Sequence, residues 1–223
     1  TMIPALEIGG DFYDFWMLDA DTVGLVVADV SGKGVAAGVF AAITRTLLRS
    51  YVDFLHGKVA ECIRRVNDHL ARENEQSMFV TAWFGVCDLK TGRIAYVNAG
   101  HNPPVHIRSD GPVYLPRAPN PPLAAMEGLE FAAGEIKLEP GDELLLYTDG
   151  VTEATDIDKQ LFGDAALLTV LQEKSPAANV PARLVSAIRT FEKGAPQADD
   201  ITILVFEYRG LPAVAPPQNV GET

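Results

Sequence analysis

Hydrophobic and polar positions along this chain switch between a period of two and a period near four. Phe12 to Leu18 and Thr22 to Val30 are rich in β-branched and aromatic residues, and Asp19-Ala20-Asp21 between them has turn chemistry, which predicts a hairpin. Val23-Gly24-Leu25-Val26-Val27-Ala28 is apolar throughout, the pattern of a strand buried on both faces, and it delivers Asp29 to the mouth of the core. Ser31-Gly32-Lys33-Gly34 breaks that strand. From Val35 to about Tyr51 the spacing of Phe40, Ile43, Leu47 and Leu48 predicts a helix with one buried face. A second helix follows Gly57, with Val59, Ile63, Val66 and Leu70 on one side and Arg64, Arg65, Asp68 and Arg72 on the others.

Strand patterning returns at Met78 to Cys87 and Arg93 to Asn98, a hairpin turned at Thr91-Gly92. Pro103 to Ile107 predicts a short strand. Leu115 to Ala125, with four prolines in eleven residues, reads as a surface excursion. Ile136 to Leu138 and Glu143 to Tyr147 flank a β-turn at Glu139-Pro140-Gly141-Asp142. Asp164 to Glu173 and Pro181 to Phe191 predict two more helices, and Ile201 to Tyr208 a closing strand. Beyond Arg209 periodicity stops, which predicts one domain over 1–209 and a disordered tail over 210–223. Strands outnumber helices and the helices come in two pairs, so α+β layers are expected rather than a parallel doubly wound sheet.

Composition narrows the function classes. With 223 residues, 48% of them hydrophobic, the chain can enclose a substantial core. A net charge of -12, from 18 Lys plus Arg against 30 Asp plus Glu with no basic run, argues against nucleic acid as a partner and favours cations. Cys62 and Cys87, in a chain without a signal peptide, fit buried thiols in a reducing cytoplasm rather than a disulfide framework. No apolar stretch approaches the roughly 20 residues that span a bilayer.

Four acidic positions share one context. Asp11 follows Gly9-Gly10, Asp29 ends a buried strand, Asp149 stands in Thr148-Asp149-Gly150, and Asp199-Asp200 precedes another apolar strand. Carboxylates gathered at adjacent strand ends repel one another unless cations lie between them, and an all-oxygen donor set suits hard ions such as Mg2+ or Mn2+ better than zinc. Any one of these positions alone reads first as a structural turn, and it is their recurrence at strand ends that points to ligands.

The ordered strings Gly9-Gly10-Asp11-Phe12-Tyr13-Asp14, Ala28-Asp29-Val30-Ser31-Gly32-Lys33-Gly34, Asn98-Ala99-Gly100-His101-Asn102-Pro103-Pro104, Tyr147-Thr148-Asp149-Gly150-Val151-Thr152-Glu153 and Ala198-Asp199-Asp200-Ile201-Thr202 resemble the signature blocks of PPM-type, protein phosphatase 2C-like enzymes, in particular the SpoIIE/RsbU branch. The resemblance runs from about Gly9 to Tyr208. It implies an αββα sandwich of two antiparallel sheets flanked by helix pairs, holding two Mn2+ or Mg2+ ions at one end. By motif, Asp29 would bridge both ions, the Val30 carbonyl would ligate one, Asp149 and Asp199 would hold the other, and Asp11 would contact the site directly or through water. Asp200 competes with Asp199, but the family pattern fixes an acid three residues before Thr202, which selects Asp199. The implied reaction is hydrolysis of phosphoserine or phosphothreonine by a metal-bridging water. The implied substrate is a STAS-type, anti-sigma-antagonist-like regulator, and the implied setting is a domain controlled by an upstream sensor, with a homodimer left open. The helix after Asp29 resembles an element that switches in this branch.

Several residues invite other readings. Ser31-Gly32-Lys33-Gly34 suggests a phosphate loop, but Gly34 stands where such a loop needs Ser or Thr after its lysine. His101 has two readings, a general acid for the leaving alcohol or a ring bonded within a tight loop. His56, His69 and His106 show no ligand spacing, and Cys62 and Cys87 read as packing residues. No Arg or Lys stands near Asp11 in sequence, which leaves phosphate anchoring to the metals. A catalytically silent binding module and a hydrolase of small phosphoesters are the competing functions.

Overall fold

The computed structural model of the chain describes residues 1–117, 119–173 and 175–210, so the tail expected to be disordered lies, from residue 211 on, outside them. In chain order the strands and helices are β1 (Met2–Ile3), β2 (Phe12–Met17), β3 (Thr22–Val30), α1 (Val35–Phe54), α2 (Val59–Arg72), β4 (Val80–Asp88), β5 (Arg93–Ala99), β6 (Val105–Arg108), β7 (Gly111–Tyr114), β8 (Gly134–Lys137), β9 (Glu143–Tyr147), α3 (Gly163–Gln172), α4 (Val180–Glu192) and β10 (Ile201–Glu207). They form two antiparallel five-stranded sheets, ordered β2-β3-β4-β5-β8 and β1-β10-β9-β6-β7.

The parity of the central strands explains the layering. In β3, Val26, Ala28 and Val30 pack with Leu48 of α1 and Ile63 and Val66 of α2. The alternate residues Val23, Leu25 and Val27 pack with Trp83, Ile94, Leu144 and Leu146, between the sheets. In β9, Leu145 and Tyr147 turn outward to Leu167 of α3 and Leu184 and Ile188 of α4. A strand with apolar partners on both faces has no polar side, which is why β3 reads as an unbroken apolar run. The layers are therefore helix pair, sheet, sheet, helix pair: the α+β sandwich that the sequence implies.

Some local expectations change. The 20-residue α1 buries Ala37, Phe40, Ala41, Thr44, Leu48 and Val52, while Ile43 is 45% exposed. Phe40, Leu47 and Leu48 face the core as expected, and small residues let the helix lie close to the sheet, so Ala37, Ala41 and Thr44 rather than Ile43 complete the buried stripe. By length and composition α1 could also cross a bilayer, contrary to the sequence reading, but its buried stripe seats it on the sheet as a core helix. The strands flanking Glu139-Pro140-Gly141-Asp142 do not pair: β8 joins β5 in one sheet and β9 joins β10 and β6 in the other, so this turn carries the chain between layers. The proline-rich segment is not a free excursion. Leu123 is fully buried and exchanges backbone hydrogen bonds with Val80, and Asn120 donates to the carbonyls of Asn98 and Ala132. Two short strands, β1 and β7, went unpredicted because two to four residues carry no readable period.

Candidate functional site

Antiparallel pairing puts the predicted acids on one rim. β2 begins where β3 ends, with Phe12 opposite Ala28, and β10 begins where β9 ends, with Ile203 opposite Tyr147. Asp11 immediately precedes β2, Asp29 is the penultimate residue of β3, Asp149 opens the short 3-10 turn after β9, and Asp199 and Asp200 lead into β10. Residues that are 188 apart in sequence thus become neighbours: the carboxyls of Asp11 and Asp29 share a hydrogen bond, and Asp29 feels the charges of Asp149, Asp199 and Asp200.

Glycines make the rim tight enough. A Cβ on Gly10 would stand 2.7 Å from the carbonyl oxygen of Val30, and one on Gly150 would stand 1.9 Å from that of Asp200. Thr148 ties the two sheets together. Its fully buried hydroxyl donates to Asp11 Oδ2 at 2.7 Å and accepts from the Thr202 amide at 3.0 Å.

The electrostatics are those of a buried anionic cluster. Burial above all, reinforced by the Asp29 and Asp200 charges, pushes Asp11 up to about 8 against the pull of the Thr202 and Thr148 hydroxyls. Burial, then Asp149, Asp199 and Asp200, pushes Asp29 up to about 7. Asp149 is raised as well, by burial and by Glu153 and Asp199. Among the described residues no three of these groups close on one point at ligating distance, so the carboxylates line an open rim. Their all-oxygen donors and suppressed ionisation fit hard divalent cations, which would favour the charged forms. The two acids at the start of β10 differ. Asp200 is buried, and its oxygens face the amides of Ala5 and Asp11 at 2.7 and 3.5 Å, whereas Asp199 is half exposed.

Other predicted residues sort by burial. His101 accepts or donates at Nδ1 with Thr81 Oγ1, 2.8 Å away, and Thr81 lies opposite Asp29 in the β3–β4 register. Burial lowers its pKa to about 4, so the ring is neutral near pH 7 and has no imidazolium proton to give; it supports the loop instead. His106 is less ordinary than its spacing suggests, since its Nε2 meets Asp142 Oδ2 at 2.8 Å in a buried pair at the far end of β9. Burial pushes both thiols up to about 12, in keeping with packing roles.

Two cations at the rim escaped the sequence reading. Lys33 Nζ lies 3.1 Å from Asp199 Oδ1. Arg117 lines a cleft of about 330 Å³ beside Asp149, with Asn102, Tyr147, Thr152 and Glu153. Lys33 stands in a signature string without a role assigned to it there, and nothing in a proline-rich run marks Arg117. A cavity of about 380 Å³ near Arg183 lies by Asp142 and Glu143, at the opposite end of β9 from Asp149.

The profile of Stage II sporulation protein E (SpoIIE) matches residues 19–209. The chain belongs to the SpoIIE family. Among its relatives, protein IcfG of Synechocystis sp. is 31% identical over 92% of this chain and 37% of its own length. The phosphoserine phosphatase RsbP of Bacillus subtilis is 25% identical over 91% of this chain and 50% of its own. The solved RsbU and RsbW domains of Rv1364c from Mycobacterium tuberculosis superpose with a TM-score of 0.74 at 27% identity, covering 93% of this chain and 57% of that one. The chain thus spans half or less of the length of these two curated relatives.

Proposed function

We propose that this chain is a metal-dependent protein serine/threonine phosphatase that hydrolyses a phosphoserine or phosphothreonine on a STAS-type regulatory protein. The observation that carries this reading is the meeting of Asp11, Asp29, Asp149 and Asp199 on one rim in a member of the SpoIIE family. RsbP, a phosphoserine phosphatase, supports the choice of bond.

Asp29, the Val30 carbonyl, Asp149 and Asp199 would hold two Mn2+ or Mg2+ ions, with Asp11 acting directly or through water and Asp200 as the alternative to Asp199. When bound, the ions would supply an acidified bridging water for direct in-line attack on phosphorus and offset charge on the phosphoryl oxygens. The protein's own residues do the rest. Thr148 fixes Asp11 in place, and the packing of Asp200 against Gly150 holds the β9 and β10 ends in register. The cleft beside Asp149 has room for residues flanking the phosphorylated side chain, and its Arg117 offers a charge for a phosphoryl oxygen or an acidic neighbour.

The test is phosphate release from a phosphoserine STAS-domain protein and from an aryl phosphate, with Mn2+ and with chelator. Metal-dependent turnover of the phosphoprotein is expected. Release from the aryl phosphate alone would indicate a small-phosphoester hydrolase, and no release by folded protein would favour a silent binding module.

A further inference from the structure

We propose that Lys33 is a positioning residue that orients Asp199 as a metal ligand and fastens the Asp29 loop to the Asp199 loop. Lys33 stands between Gly32 and Gly34, whose φ values of +92° and +81° suit glycine alone. A Cβ at either glycine would meet nothing within 4 Å, so these glycines serve the path of the backbone rather than close packing. That path sends the lysine away from α1 and across to the segment before β10. There Nζ donates to the carbonyl of Ala198 at 2.8 Å and pairs with Asp199 Oδ1 at 3.1 Å.

The two oxygens of Asp199 are thereby made unequal. Oδ1 takes the Lys33 ammonium and, at 2.9 Å, the backbone amide of Asp200. Oδ2 accepts no hydrogen bond among the described residues, which leaves it available to a cation. Meanwhile Gln197 holds the Asp199 carbonyl at 2.7 Å and that of Ile3 at 2.8 Å, so backbone and side chain are both restrained. A ligand carboxylate bonded through one oxygen and open at the other is the arrangement by which surrounding donors preset metal ligands, and losing such a donor costs about 10–100-fold in metal affinity.

A lysine beside a metal ligand also repels the metal, and charge decides the balance. Asp11, Asp29, Asp149, Asp199 and Asp200 carry five negative charges when ionised, against four positive charges on two divalent ions. The loaded rim would keep an excess negative charge for the ammonium to neutralise. Lys33 therefore stays with Asp199 when the site fills.

This inference rests on the metal-centre reading, and one titration separates the two. Mn2+ is titrated calorimetrically into the metal-free 223-residue chain as wild type, Lys33→Met, Lys33→Arg and Asp199→Asn. Lys33→Met is expected to weaken Mn2+ binding about ten-fold, and Lys33→Arg to stay within about three-fold of wild type. The thermal midpoint of the metal-free protein should barely change in either, because the pair is nearly half exposed on both sides. Equal or tighter binding by Lys33→Met would overturn the proposal, tighter binding meaning that the ammonium competes with the ion for Asp199. An arginine variant as weak as the methionine variant would also overturn it. Wild-type binding by Asp199→Asn would overturn it too, since Asp199 would then be no ligand, whereas failure of the wild type to bind Mn2+ would instead sink the metal-centre reading itself.

Discussion

Asp29 is where stability and function conflict most openly. Its carboxyl is buried among four others, so in the metal-free protein its proton is held up to about 7, and Asp11 holds its own up to about 8. Because these values lie above those of an unfolded chain, the native state binds more protons than the unfolded state between about pH 4 and 8, and stability falls as pH rises. The thermal midpoint in chelator should drop by at least about 3 °C from pH 5 to pH 8. A midpoint that rose over that range would contradict the charge-strained rim. Asp29→Asn removes the strain, so this variant should melt higher than wild type at pH 8 in chelator. Close packing at Gly150 gives another residue-level test. Gly150→Ala places a methyl 1.9 Å from the Asp200 carbonyl and should destabilise by about 1–3 kcal/mol in chemical unfolding, with turnover reduced. The five motif strings made Asp11, Asp29, Asp149 and Asp199 readable in the sequence. Lys33 and Thr148 stand inside two of those strings, but their contacts were not readable because Asp199 and Asp11 are distant in the chain, and nothing in its proline-rich run marks Arg117.

The elements were legible wherever burial is one-sided or long. α2 follows from its period, β3 from its unbroken apolar run, and β4 and β5 from strand patterning on either side of a turn. In α1 the expected Phe40, Leu47 and Leu48 do face the core, but Ile43 is exposed, and the small residues Ala37, Ala41 and Thr44 complete the contact. Leu48→Ala should therefore cost about 2–5 kcal/mol in equilibrium unfolding, and Ile43→Ala within about 0.5 kcal/mol of nothing. Equal costs would mean that the helix presents a different face. The turn at Glu139-Pro140-Gly141-Asp142 was recognised as a turn, but a turn's local chemistry does not tell whether its strands pair. That decision belongs to β5 and β10, which claim β8 and β9 for different sheets.

At the scale of the molecule, the sandwich converts antiparallel order into a site. Because each sheet returns its chain, the start of one strand and the end of its neighbour share a rim, and the four helices cover the outer faces without closing that rim. The layered α+β class followed from element counts, while the exact αββα order came from the resemblance, since periodicity does not say which strands are neighbours. This rim is proposed as a metal-dependent phosphatase centre. The most direct measurement is phosphate release from a phosphoserine protein as Mn2+ is added to chelator-treated wild type and Asp29→Asn. Turnover that saturates with Mn2+ in the wild type and falls more than about a hundredfold in the variant is the predicted result, beyond the loss expected of an outer-shell partner. Turnover that survives in chelator, or that Asp29→Asn retains, would contradict it.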